Sequence, residues 1–361
     1  MFDTLQASRV RASARAHAIA ARALCVAVVL AATLANAASG HAKAYTAPKG
    51  KVLVGVTGGR SVDGYARAVG KRPAVFQFFV AWGQRFRWAY RRAAQAHADL
   101  MVHLSTYNGP GTKERITPRA IAIGRDDRYL VTLGRELARH GRPVYLRLFS
   151  EMNNASNPYS AFHHNGRARD ESHSPEWFRQ AWRRATLILK GGRVATIDAR
   201  LRRLGLPGLR GRVGRRLPRP RIALQWAPMT AGSPPLAGNG PDAYWPGAAY
   251  VDWVGTDFYS RFPNFRGLDR FYANRRYAGK PFVFGEWGMW GRDEPKFVRQ
   301  FFAWVRAHPR VRMLAYNQGN RPSSEFRLYR YPRAARAIRT ALRARRYTGR
   351  PLATSNAAPR P

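Results

Sequence analysis

Eight short apolar runs, most of them separated by amphipathic helical patterns, constrain this chain more than any other feature. The runs are "VLVGVTGG" from Val52, "AVFQFFVAW" from Ala74, "LMVHLSTY" from Leu100, "PVYLRLFSE" from Pro143, "RIALQWAP" from Arg221, "VDWVGTDFY" from Val251, "PFVFGEWG" from Pro281 and "RMLAYNQG" from Arg312. Each is nearly continuous in apolar residues, as strands covered on both faces must be. Helical patterns with start and stop signals lie between them. Asp126 or Asp127 opens one that Gly141 closes, and Ser174-Pro175 opens another that a glycine pair closes. The gap after the fifth run is mostly loop. Strands alternating with helices predict an α/β fold, a single (β/α)8 TIM barrel over residues 45–348, with a doubly wound open sheet as the alternative.

A chain of 361 residues suits one such barrel, and its 45% apolar content supplies a core without disulfides. Residues 1–44 read as an export signal: Arg9, Arg11, Arg15 and Arg22 precede a short apolar stretch from Ala23. Ala35-Asn36-Ala37 and Ala42-Lys43-Ala44 offer cleavage sites. An uncleaved anchor is the other reading. The single cysteine, Cys25, lies within this segment, which leaves no thiol chemistry to the rest. The formal net charge is +43, a field that favours polyanions, although arginine enrichment also follows from coding-sequence composition. Nine arginines and no acid fall in 200–221, a basic insertion read either as an attachment patch for an anionic surface or as a solvated, partly disordered excursion. It is expected on the side of the barrel opposite the active face. The stretch 349–361 reads as a flexible tail.

In a barrel of this kind the reacting groups sit at the C-terminal ends of the strands. Those ends carry Glu151 on strand four, Asp257 and Tyr259 on strand six, and Glu286 on strand seven. His103, Tyr107, Trp226, Tyr316, Asn317 and Gln318 end the others. A carboxylate at the end of an apolar strand is costly unless it is paired, solvated or employed. Two of them about 5–5.5 Å apart, one attacking and one trading a proton, are the equipment of a retaining glycosidase. A pair of structural glutamates bonded to arginine or backbone N–H is the competing reading.

Three stretches, in order, resemble glycoside hydrolase family 26: "GRDDRYLVTLGRELARHGRPVYLRLFSEMNN", "WPGAAYVDWVGTDFY" and "KPFVFGEWG". The resemblance covers most of residues 50–320. It implies a retaining β-glycanase with Glu286 as nucleophile, Glu151 as acid/base, Tyr259 bonded to Glu286, and Arg147 orienting the carboxylates. Asp257 and Asn153 match its motifs. Trp226, Trp287 and Trp290 are candidates to stack on sugar rings, with core packing as the alternative for each. The chain departs from the pattern in two places. Ser150 stands where the family has histidine. The family places tryptophans just after its Met-Asn-Gly as a sugar platform, whereas here the loop reads "NASNPYSAFHHNG", with Tyr159, Phe162 and His163 left to fill that role.

The resemblance implies an endo-β-glycanase, with β-1,4-mannan first among substrates and other β-glucans or xylan next, and the export signal leads us to expect it secreted or cell-wall-associated. A non-catalytic glycan- or wall-binding protein on a degenerate barrel is the alternative. No cofactor is called for. No metal site is expected, and His163, His164 and His173 read as solvated loop residues. Nucleotide motifs are absent. The expected partners are a polysaccharide and, through the basic surface, an anionic wall polymer, with no specific nucleic acid. The chain is expected to be monomeric.

Overall fold

A computed structural model describes residues 44–59, 61–109 and 111–352. The expected signal segment up to Lys43, with Cys25, and the tail from residue 353 lie outside the described residues. Eight parallel strands close into a barrel: β1 Val52–Thr57, β2 Val75–Ala81, β3 Asp99–Ser105, β4 Val144–Leu148, β5 Ile222–Trp226, β6 Trp253–Tyr259, β7 Phe282–Gly288 and β8 Val311–Asn317. Each strand pairs with its neighbours in order, and β8 pairs with β1 to complete the ring. Six fall inside the eight apolar runs, β3 and β8 begin one residue before theirs, and the open-sheet alternative is excluded by that closing pair.

The helices are α1 Asp63–Val69, α2 Arg87–Gln95, α3 Pro118–Ala122, α4 Asp127–His140, α5 Pro175–Lys190, α6 Val194–Arg203, α7 Phe265–Ala273, α8 Pro295–Ala307 and α9 Pro332–Leu342. Their starts follow local chemistry. Asp126 accepts the N–H of Tyr129 at the head of α4, and Ser174 accepts that of Trp177 at the head of α5 with proline next in line. Between β5 and β6 only short 3-10 turns occur, as the loop-like composition there predicts.

Inside the barrel, side chains stack in layers. The bottom layer is apolar: Leu53, Val75, Met101, Tyr145, Ala223, Trp253, Val283 and Met313 are all buried. Both ends of the described stretch cover it. Tyr145 donates to the Tyr45 carbonyl at 2.6 Å, Trp253 donates to that of Ala44, and Leu352 packs on the same cluster. Tyr347–Thr348 adds a short parallel pairing to β1. The tail is therefore packed through Leu352, because its apolar end caps this layer.

The basic insertion is also ordered. Its helix α6 was hidden by the glycine pair at 191–192, which reads as a stop but only turns the chain. Ile197, Leu201, Leu206 and Leu217 are buried beneath it. Arg184 of α5 pairs with Asp127 at 2.6 Å and donates to the carbonyls of Pro207 and Gly208 at 2.7 and 2.9 Å. The insertion thus lies along the outside of α4 and α5, reaching the N-terminal turn of α4 rather than staying beneath the barrel. Its nine arginines, 200, 202, 203, 210, 212, 215, 216, 219 and 221, all point to solvent.

Candidate active site

Strand β7 does not alternate regularly. Thr256 and Asp257 of β6 face Phe284 and Glu286, so Gly285 is an extra residue on β7; the pairing with β8 shifts at the same place. This bulge turns Glu286 into the barrel, where simple alternation from inward Val283 would turn it out. Gly285 has no substitute here: a Cβ would lie 2.3 Å from Arg147 Nε. Arg147, fully buried on β4, crosses the barrel at that level. Its Nη1 donates to Glu286 Oε1 at 2.9 Å and to Gln77 Oε1 at 3.1 Å, while Nη2 donates to both oxygens of Asp257 at 2.7 Å. Glu286 Oε2 accepts from Tyr259 Oη and from Asn317 Nδ2, each at 2.9 Å. Asn317 Nδ2 also donates to Tyr259 Oη at 2.8 Å. The backbone N–H of Glu286 donates to Asp257 at 2.8 Å.

Strand β4 brings its carboxyl to the mouth by different means. The chain leaves the strand with Phe149 at φ 48° and Glu151 at φ 54°, left-handed conformations unusual for side chains of this size. The bent chain is held by N–H donations from Phe149 to the Leu104 carbonyl at 2.9 Å and from Glu151 to that of Ala227 at 2.8 Å. Buried Tyr159 donates to the Ser150 carbonyl at 2.6 Å. Asn154 Nδ2 donates to Glu151 Oε2 at 3.0 Å, and among the described residues it is the donor this carboxyl has.

These surroundings separate the two glutamates. Burial and the charge of Glu286 push the Glu151 pKa up. Burial also acts on Glu286, but donors and positive charge outweigh it and hold its carboxyl well below the usual range. His103 Nδ1 is 3.8 Å from Glu286 Oε1, beyond hydrogen-bond reach, and burial favours the neutral imidazole. The ionised state of Glu286 therefore rests on Arg147, Tyr259 and Asn317. Burial raises Asp257 as well, yet its oxygens accept from Arg147 and from the Glu286 N–H, contacts that suit the carboxylate. One arginine thus faces both Asp257 and Glu286, and of the two glutamates Glu151 is the one whose surroundings favour the protonated form.

The other sequence candidates divide. Asp257, Tyr259, Arg147 and Asn317 meet around Glu286. Trp290 stands beside them, with ring centroids 5.7 Å from Tyr259, 5.2 Å from Phe326 and 5.5 Å from the exposed Phe262. Trp226 and Trp287 do not reach the mouth. Trp226 is fully buried outside the barrel against Trp245 and Tyr277, because inward Gln225 precedes it. Trp287 stacks on Phe301 at 4.4 Å, turned outward by the same bulge that turns Glu286 in. Asn153 is also buried, and its amide clamps the backbone of Met229 at 2.8 and 3.1 Å, so it shapes the loop. Tyr159 cannot form a sugar platform because its ring is buried beneath Ser150. His173 is not solvated: it is buried between Glu114 and Asp170, at 2.8 and 2.7 Å. Among the described residues no cluster suited to a metal ion occurs. Gln77, Phe262 and Phe326 were missed. A glutamine inside the apolar β2 run was the one available signal.

No family model and no curated protein matches the sequence. Solved structures do match. The YdhT protein from Bacillus subtilis aligns at a TM-score of 0.53 and 17% identity over 84% of this chain and 88% of its own. A Bacillus subtilis mannanase aligns at 0.52 and 16% over 87% and 90%. A family 26 β-mannanase from Bacteroides ovatus aligns at 0.53 and 14% over 82% and 90%. The fold is that of the family 26 glycoside hydrolases. At these identities the family 26 likeness is one of architecture: a complete barrel with its strand ends turned to one mouth.

Proposed function

We propose that the protein is a retaining endo-β-glycanase working by double displacement. Glu286 attacks the anomeric carbon as Glu151 protonates the departing glycosidic oxygen; the C–O bond breaks and a glycosyl ester forms on Glu286. Glu151, now a carboxylate, takes a proton from water as the water attacks the same carbon. The ester bond breaks, both groups return to their starting states, and two inversions preserve the β configuration. The observation that carries this reading is the opposed environment of the two glutamates at one mouth: the first among donors and a guanidinium, the second half-buried with a single amide. Tyr259, Arg147 and Asn317 keep the nucleophile ionised and aimed. Trp290, with Phe262 and Phe326, offers an aromatic wall for sugar faces.

β-1,4-Mannan is the first substrate to test, since similar solved structures are described as mannanases. The N-terminal segment supports export, and the exposed arginines of the insertion support retention on an anionic wall polymer. The deciding experiment is hydrolysis of galactomannan, glucomannan, mixed-linkage glucan and xylan by the purified protein, with Glu286→Ala as control. Reducing ends released by the wild type alone, first formed as the β anomer, are the expected result. Silence on every substrate from folded protein would instead favour a glycan-binding role.

A further inference from the structure

We propose that Asn154 is a positioning residue that assigns the acid proton of Glu151 to Oε1, the oxygen that Asn154 does not meet. The inference rests on the reading of Glu151 as acid/base. Asn154 is oriented without ambiguity, since its Oδ1 accepts the backbone N–H of Ser156 at 3.0 Å. The end facing Glu151 is therefore the amide Nδ2, a pure donor, 3.0 Å from Oε2. In a neutral carboxyl the carbonyl oxygen is the better acceptor. Oε2 is then the carbonyl and the proton sits on Oε1.

The donor cannot swing away. Asn154 N–H closes a turn on the Glu151 carbonyl at 3.0 Å, and the chain from Asn153 to Ala155 is stitched to the β5 loop through Ser233 at 2.9 and 2.7 Å. The Asn153 side chain clamps Met229 in the same loop. The bond to Oε2 strengthens as Glu151 gives up its proton, because a carboxylate accepts better than a carbonyl. Asn154 thus favours the step in which the O–H bond of Glu151 breaks and the leaving oxygen gains the proton.

The test compares wild type with Asn154→Ala and Asn154→Asp on two substrates: the polysaccharide the wild type cleaves, and the 2,4-dinitrophenyl β-glycoside of the same sugar. The dinitrophenolate leaves without proton assistance. For Asn154→Ala, kcat/KM on the polysaccharide should fall about tenfold while that on the aryl glycoside stays within about twofold. The alkaline limb of the polysaccharide profile should move to higher pH. Asn154→Asp keeps an acceptor for the Ser156 N–H and so guards against an unfolded loop; its negative charge should move that limb further up. Equal losses on both substrates, or an unmoved limb, would overturn the assignment. If the wild type shows no Glu286-dependent hydrolysis, the functional reading fails. The carboxyl titration of Glu151, followed by carbon NMR, then still decides: it should rise on Asn154→Ala, and no change would sink the proposal.

Discussion

The ends of β4 and β7 bring the same residue type to the same mouth by opposite constructions. On β7 a one-residue bulge rotates Glu286 inward while the strand continues to Gly288, and the surrounding β4, β6 and β8 supply its donors. On β4 the strand stops at Leu148, and two left-handed residues swing Glu151 over the rim, where one amide meets it. The first construction favours the charged form of its carboxyl; the second favours the neutral form. The proton state of a carboxyl here is a property of how its strand ends.

The largest break in this comparison comes from removing each group in turn. Glu286→Ala should lose at least about 10³-fold in kcat/KM on every substrate, whereas Glu151→Ala should lose that much only where the leaving group needs a proton. Assays with dinitrophenyl and unactivated glycosides separate the two; equal losses would mean that the carboxyls do not divide the labour.

Arg147→Met strikes the charged side alone. It leaves Asp257 and Glu286 buried without their cation and should cost about 3–5 kcal/mol in denaturant unfolding. In whatever activity remains, the acid limb should move up, since Arg147 is the charge that holds the Glu286 pKa down. An unshifted limb would transfer that role elsewhere.

The tryptophans sharpen the contrast between wall and mouth. Trp226→Ala should destabilise by about 3–5 kcal/mol, with kinetics altered little in the folded fraction. Trp290→Ala should leave the melting temperature nearly unchanged and raise KM roughly fivefold, about 1 kcal/mol. The reverse pattern would place the sugar on the other side of the sheet.

The smallest effect is on stability against pH. Glu151 has a raised pKa in the fold, so its contribution is full at pH below its unfolded value and is lost as pH rises through the folded one. Glu286 behaves oppositely, its contribution disappearing only as pH falls through its depressed pKa. Glu151→Gln should therefore flatten the decline in unfolding free energy on the alkaline side and leave the acid side alone. An unchanged alkaline slope would mean that Glu151 is not the group that titrates.

Much of this was legible beforehand, and for local reasons. Ser174 and Asp126 act on N–H groups three residues away, so their helices could be read from adjacent residues. Glu151, Asp257, Tyr259 and Glu286 stood out because charged or hydroxyl groups at the ends of apolar strands demand partners, and Arg147 through the family 26 resemblance. Gln77 carried the same signal within β2 and was overlooked. The tryptophans were misplaced because a Trp after an inward residue and a Trp at the mouth look alike in a string of letters.

The sequence by itself determined the eight strands, most of the helices and the set of polar residues delivered to their ends, since burial and hydrogen-bonding chemistry act over a few neighbouring residues. Only the tertiary structure decided which way those residues face. The extra residue at Gly285, the left-handed Phe149 and Glu151, and the stitching of Asn154 to a loop some eighty positions away exist through pairings between distant strands. Facing direction depends on register across the barrel, and register is fixed only when the ring closes.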